Sequence, residues 1–398
     1  MTRQPKVLYS FALKLGAERI CWTAWQQVLG LRDAGADVTA MVGCLARPMP
    51  AGVRVKTTLS AGPLRVPYSI VGIQRAFAIH DLLVARWLEK HWREVDVVHA
   101  WPLGAMKTFE VARRHGIPTL LERQNCHSLY AYRIVDEECR RLGVVLPEGY
   151  EHVYDPIALA RELREYEAAD FLLCPSDFVR KTFIHEEFND AKLLRHRYGY
   201  DAARISPGEQ RPLDGRPLVT LFAGLCSPRK GLHHALHAWL DSPLSKNGGR
   251  FLVCGEFADA YRDRLADLLV RPGVEVLGHR TDLPDLMKQA DLFVLPSLEE
   301  GSALVTYEAR GAGCVLIVSD AAGAVCEHRT DGMIHAAGNA AELSAHFAEV
   351  DRDRQFLHQL RARSIDGLDG LTWRSAGRRL ADVYREAIAS PRSNTPRS

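Results

Sequence analysis

The sequence predicts an α/β protein made of two successive domains, each a doubly wound parallel sheet. Three observations carry that reading. Short apolar runs alternate with helix-length segments, a Pro- and Gly-rich polar stretch interrupts the alternation near mid-chain, and the alternation then restarts. A length of 398 residues points the same way, because one hydrophobic core rarely serves so long a chain.

The elements follow in order. KVLYSFAL, from Lys6, is a strand candidate; a loop holding Gly16 and a helix-like stretch to about Ala34 follow, Gly35 stops the helix, and VTAMVG is the next strand. VDVVHAW reads as a strand, 103–115 as a helix ended by Gly116, and PTLLER as a strand. A charged, helix-prone region over 133–168, broken at Pro147 and Pro156, leads to the buried strand DFLLCPS. ISPGEQRPLDGRP (205–217) is the expected linker. Beyond it come the strand PLVTLFAG, a helix from about Gly231 to Trp239, the strand RFLVCG, a helix over 259–269, and the strand VEVLG. A helix near 283–289, the strand DLFVLPS, a helix over 303–311 and the strand VLIVSD complete the second half. The expected division is therefore a first domain over 1–204, the linker, and a second domain over 218–370. A C-terminal helix over 371–388 is expected to pack back toward the first domain, with a tail over 389–398 disordered by composition.

Composition narrows the function classes. A formal charge of +2 gives no case for nucleic-acid binding. The first 204 residues carry 28 Lys/Arg against 24 Asp/Glu (+4) and the rest 23 against 25 (−2), a weak basic bias that fits anionic lipid or phosphate nearby. Nine scattered cysteines without a C-x-x-C pair read as reduced, cytoplasmic usage rather than a disulfide frame or zinc site. No signal-peptide layout or spanning-length apolar run is read. AFAIHDLLVARWLEKHW (76–92) has apolar residues at helical spacing; packing against the first sheet is favoured, and peripheral contact with the inner membrane face is the alternative.

Ligands of such sheets bind at the carboxyl ends of strands. Arg229 and Lys230 follow one strand and precede a helix at Gly231, where two cations and exposed N–H groups attract phosphate; a solvated surface pair is the plainer alternative. Glu300-Gly301-Ser302-Ala303-Leu304 follows another strand. Gly301 permits close approach, the N–H groups of Ser302 to Leu304 suit a pyrophosphate, and Glu300 accepts from hydroxyls. Glu308, eight residues on, lies about 12 Å along a helix and so meets a different end of an extended ligand. The alternatives are that Glu300 caps the helix and Glu308 pairs with a base. Glu299 is expected to face solvent. His233, His234 and His237 include an i, i+4 pair, but with no acidic or cysteine partner they read as helix surface. Asp351-Arg352-Asp353 lies in a charged non-strand segment and reads as a solvated helix, so no metal site is expected.

Strand, then PRKG, then PSLEEGSALVTYEARGAG about seventy residues later resembles the retaining GT-B glycosyltransferases of family 4 and their E-x7-E motif. VLIVSDAAGAVCEHRTDG, LGAER, VDVVHAW, AADFLLCPSDFVR and RYGYDAARISP extend the likeness over nearly the whole chain, loosely in the first half. The resemblance implies a GT-B architecture, two Rossmann-like domains facing a central cleft, and sugar transfer from a nucleotide diphosphate sugar to a hydroxyl acceptor (a saccharide, glycolipid or small molecule) without a metal or other cofactor. It places Glu308 on the ribose, Glu300 on the sugar, and Arg229, Lys230 and the Ser302–Leu304 N–H groups on the diphosphate. Gly16 would let its loop approach the donor, His127 would lie near sugar and acceptor, and Glu300, His127 and Lys230 are the catalytic candidates. Leu225 departs from the arginine that many members place after the strand's glycine, and MIHAAGN departs from the family's GLLVPPGD-like stretch. Two other readings stand beside it: a nucleotide-sugar epimerase, for which the first half offers His99, Glu122 and His127, and a catalytically silent binding relative.

Overall fold

The computed structural model describes residues 4–390 apart from 62–63, 66–70, 151 and 210; the expected disordered tail from 391 onward lies outside them. Seven parallel strands form the first sheet: β1 (Lys6–Leu15), β2 (Asp37–Leu45), β3 (Val53–Thr57), β4 (Val97–Ala100), β5 (Thr119–Glu122), β6 (Phe171–Cys174) and β7 (Leu193–Arg195). Their order is β3-β2-β1-β4-β5-β6-β7. Six form the second: β8 (Val219–Ala223), β9 (Arg250–Cys254), β10 (Val274–Gly278), β11 (Leu292–Leu295), β12 (Val315–Ser319) and β13 (Gly332–His335), in the order β10-β9-β8-β11-β12-β13. Both sheets reverse strand order between their first strand and its later-added neighbour, β1 beside β4 and β8 beside β11, which opens a crevice at the carboxyl edge of each.

Helices of seven residues or more are α1 (Ile20–Asp33), α2 (Ile73–His91), α3 (Met106–Arg114), α4 (Ser128–Leu142), α5 (Pro156–Ala168) and α6 (Asp177–His185) on the first domain. On the second they are α7 (Leu232–Asp241), α8 (Leu283–Gln289), α9 (Leu304–Gly311), α10 (Ala340–Arg352) and α11 (Arg354–Asp366), followed by α12 (Trp373–Ala389). Every residue of β4, β5, β11 and β12 is buried, which is why these strands stand out in the sequence as continuous apolar runs.

The differences from the sequence reading have local causes. β3 is half-exposed VRVKT, β7 is three residues long, and β13 is GMIH, so none presents an apolar run of strand length. The single helix expected over 259–269 is two pieces, Asp259–Arg264 and Ala266–Leu269, broken at Leu265. Asp353 is no helix interior: it ends α10, and its side chain caps α11 at the Phe356 N–H.

α2 buries Val84, Ala85 and Leu88 against Leu8, Val98 and Phe109, so core packing accounts for the apolar stripe of 76–92. No described helix is long and apolar enough to cross a membrane. α12 supplies Leu380, Val383, Tyr384 and Ala387 to the core that holds Val7, Tyr9 and Trp25, and thereby completes the first domain from the far end of the chain. Its contact with α1 is backbone to backbone. A Cβ added at Gly377 would lie 2.2 Å from the Gly30 carbonyl. Gly377→Val should therefore cost about 1–3 kcal/mol by overpacking, read as an earlier midpoint in urea unfolding; an unchanged midpoint would mean that the helices part without loss.

Candidate functional site

The site is built at the crevice between β8 and β11. After β8 the chain makes a 3₁₀ turn over Pro228–Lys230 and enters α7 through Gly231, whose φ is 68°. A Cβ there would sit 2.2 Å from the Pro296 carbonyl, so glycine is required both for the left-handed turn and for the approach of the β11 loop. The Leu298 N–H donates to the Arg229 carbonyl at 2.8 Å, which zips the two loops together.

The zipped loops put two acids against two bases in a nearly dry environment. Glu299 is fully buried and Glu300 is 6% exposed. Arg229 Nη1 donates to Glu299 Oε1 at 3.2 Å and lies 3.2 Å from Glu300 Oε2, while Lys230 Nζ is paired with Glu300 Oε1. Glu299 therefore does not face solvent as the sequence suggested. Burial alone would raise its carboxyl, but the charges of His152 and Arg229 and the bond from Cys126 hold it below the usual range. Neither acid caps α9, whose N-cap is Ala303.

The first domain closes over this cluster. The Cys126 thiol donates to Glu299 Oε2 at 3.1 Å, and His152 Nδ1 lies 3.3 Å from Glu299 Oε1. The Ser176 hydroxyl, which caps α6, donates to the Gly301 carbonyl at 2.5 Å. At Gly301 an added Cβ would fall 1.5 Å from the Gln124 carbonyl. Gly301 thus gives close approach to the facing domain's backbone.

The remaining expected residues fall in different places. The Ala303 N–H donates to the Ala322 carbonyl at 3.2 Å, and the Ser302 hydroxyl bonds Tyr307 and the Gly323 carbonyl. Leu304 and Glu308 line a cavity of about 180 Å³ with Trp22, Arg204, Arg280, Thr281 and Trp373. Burial pushes Glu308 up to about 7, against the pull of Arg204. Gly16, at φ 82°, is packed under Trp25, whose ring an added Cβ would meet at 2.8 Å. His127 is buried among Tyr166, Phe183 and Phe188, and neither ring nitrogen has a hydrogen-bond partner among the described residues. Burial first, then Arg123 and Arg133, take it down to about 3. Its backbone N–H bonds Thr182 at 3.0 Å, so it seats the loop that meets Gly301.

Two groups come out differently from the sequence reading. His99 and Glu122 are sealed in the first-domain core: Glu122 takes bonds from Gln27 and Tyr198 and pairs with His99 and His196, and His99 in turn meets Tyr384. His233 and His234 are buried rather than surface, and an acid does accompany them: Glu138 from α4. Only His237 of that trio is exposed. Glu299, Cys126, His152 and Glu138 were the participants that sequence reasoning missed. The one available signal was Glu299's place in the loop four residues past a buried strand.

Residues 216–353 match the family model described as Glycosyl transferases group 1. A glycogen synthase of Mycobacterium tuberculosis is 31% identical over 216 residues, covering 52% of this chain and 51% of that protein. The chain spans about half the length of the curated relatives it matches. Among solved structures, sucrose-phosphate synthase from Thermosynechococcus elongatus superposes with a TM-score of 0.68 at 16% identity, covering 97% of this chain and 100% of that one. Anabaena Alr3699/HepE in complex with UDP-glucose gives a TM-score of 0.61 at 17% identity, covering 96% and 100%. The two parallel-sheet domains are the fold of the GT-B glycosyltransferases.

The ion pairs divide the roles of the two bases. Arg229→Met leaves buried Glu299 short of a partner and should cost roughly 3–5 kcal/mol of stability. Lys230→Met should cost clearly less, because Arg229 still reaches Glu300. Thermal unfolding of both variants checks this; equal losses would contradict the division.

Proposed function

We propose that the chain is a retaining, metal-independent glycosyltransferase that moves a sugar from a nucleoside diphosphate sugar to a hydroxyl acceptor. The supporting observation is the placement of Arg229 and Lys230, locked by buried carboxylates at the switch point of the second sheet; Glu308 lies apart from them on a cavity of its own. On this reading Lys230 takes the diphosphate, and Arg229 chiefly holds the loop and its local field. Glu300 accepts from sugar hydroxyls, Glu308 from the ribose, and Gly301 with the N–H groups of Ser302 and Leu304 lines the diphosphate. Ala303 contributes shape, and Gly16 and His127 set the first-domain loops. Catalysis rests on positioning and on cationic stabilisation of the leaving diphosphate. The bond from the anomeric carbon to phosphate oxygen breaks, the bond to the acceptor oxygen forms, and the acceptor proton passes to the leaving phosphate.

The likeness to a UDP-glucose complex makes UDP the first nucleotide to test, and the glycogen synthase relative makes a saccharide acceptor the first acceptor class. Nine free cysteines fit a reducing, cytoplasmic setting. The epimerase reading is less favoured, because two of its three residues, His99 and Glu122, are paired with each other inside the first-domain core, which leaves it His127. The decisive assay is release of free nucleoside diphosphate from a panel of nucleotide sugars with saccharide acceptors. Turnover should persist in EDTA. An epimerised donor without release, or activity restored only by Mn²⁺ or Mg²⁺, would overturn the reading.

Glu308 adds a pH signature. Its carboxyl is raised, so its contribution to folding stability is fully present below its ordinary value of about 4.3 and fades as pH rises through about 7. Hydroxyl donors favour the ionised form, so nucleotide binding should expel a proton and tighten as pH rises through about 7. Calorimetry with UDP at several pH values reads this effect, and Glu308→Gln removes it while keeping the nucleotide's own phosphate titration. Identical pH slopes for both proteins would refute the assignment.

A further inference from the structure

We propose that Glu138, His233 and His234 form a site for one zinc-class divalent ion that ties the two domains together. The first turn of α7 presents both imidazoles, and α4 of the other domain presents the carboxylate. Glu138 Oε1 lies 2.6 Å from His233 Nε2 and 3.3 Å from His234 Nε2, and all three ligand atoms fall within 4.8 Å of one another. The three residues are only 7%, 3% and 6% exposed. Two imidazole nitrogens and a carboxylate oxygen are the donors that zinc takes at about 2.0–2.2 Å, with a fourth position left for water. Tetrahedral bonds of that length hold donors roughly 3.4 Å apart. The His234–Glu138 spacing already suits this, and the His233–Glu138 pair needs to open by less than an ångström.

The surroundings agree with a metal site. Tyr261 OH meets His233 Nδ1 at 2.7 Å and accepts from the His233 backbone N–H at 3.0 Å, the kind of outer contact that fixes a ligating imidazole. Arg141 marks the point of convergence. Its Nη2 is 2.5 Å from Glu138 Oε1, 3.3 Å from His233 Nε2 and 3.2 Å from His234 Nε2. A donor-only cation there competes with a metal ion. Arg141 also donates Nε to Glu138 Oε2 at 2.9 Å, so the ion must displace a two-point pair; the side chain is 55% exposed and has solvent to turn into. An ion so held pins the first turn of α7, three residues beyond Lys230, to the first domain. None of the three ligands is among the residues proposed for the donor, so the proposal is compatible with activity in EDTA and does not depend on sugar transfer.

The test is calorimetric titration of ZnCl₂ into the chelator-treated full chain, with thermal unfolding alongside. One ion per chain and a raised melting temperature are expected. His234→Gln and Glu138→Gln should weaken binding at least about a hundredfold, and Tyr261→Phe by roughly ten- to a hundredfold. His237→Gln, one turn along and exposed, should change nothing. Arg141→Met should tighten zinc by about tenfold, the opposite of its effect if the cluster were only an ion-pair tie. X-ray absorption of the wild-type zinc complex keeps the test independent of variant folding: it should show nitrogen and oxygen neighbours. No binding, binding that survives His234→Gln, weakening in Arg141→Met, or a sulfur shell from the free cysteines would overturn the proposal.

Discussion

Two carboxylates removed from water at the edge of the second sheet set the terms for everything around them. Glu299 and Glu300 are adjacent in sequence and carry like charge into one dry corner, an arrangement that persists only with cations of matching geometry. Arg229 and Lys230 supply them from the neighbouring loop, and the requirement propagates outward. Gly231 must be glycine so that the loops can touch, and Leu298 must hand its N–H to the Arg229 carbonyl so that they stay in register.

The same constraint reaches across the cleft. Glu299 is anchored by Cys126 and His152 of the facing domain, and Gly301 has the Gln124 carbonyl where a side chain would otherwise stand. Glu299 is thus fully partnered only when the two domains meet. Separation would expose Glu299 to water and leave its pairing to Arg229 alone. The Glu138–His233–His234 cluster straddles the same cleft on α4 and α7, so interdomain closure is held by polar contacts that a ligand or an ion can rebalance. Glu308 sits apart from that quartet beside its cavity, which suits an extended ligand with chemically different ends.

What the sequence disclosed follows from what is local. Alternating apolar runs exposed most strands because their strands are buried on both faces, and the loop positions of Arg229, Lys230 and Glu300 and the helical position of Glu308 were legible from their spacing after those strands. Contacts distant in sequence stayed hidden. Nothing near residue 299 announces Cys126 or His152, and nothing near 233 announces Glu138, 95 residues away. His127 was legible as a residue at a strand edge, but not that three aromatic rings from other segments enclose it. The short strands β7 and β13 carried too few residues to show a pattern.

The central claim is that Lys230 is shared between Glu300 and a diphosphate. Calorimetric titration of UDP into the wild type, Lys230→Met and Glu300→Gln tests it most directly. Lys230→Met should lose at least about tenfold in affinity. Glu300→Gln removes the competing carboxylate and should bind UDP as tightly as the wild type or up to about tenfold more tightly. A Glu300→Gln protein that folds normally yet binds UDP tenfold more weakly would contradict the claim, because the acid would then serve the nucleotide itself.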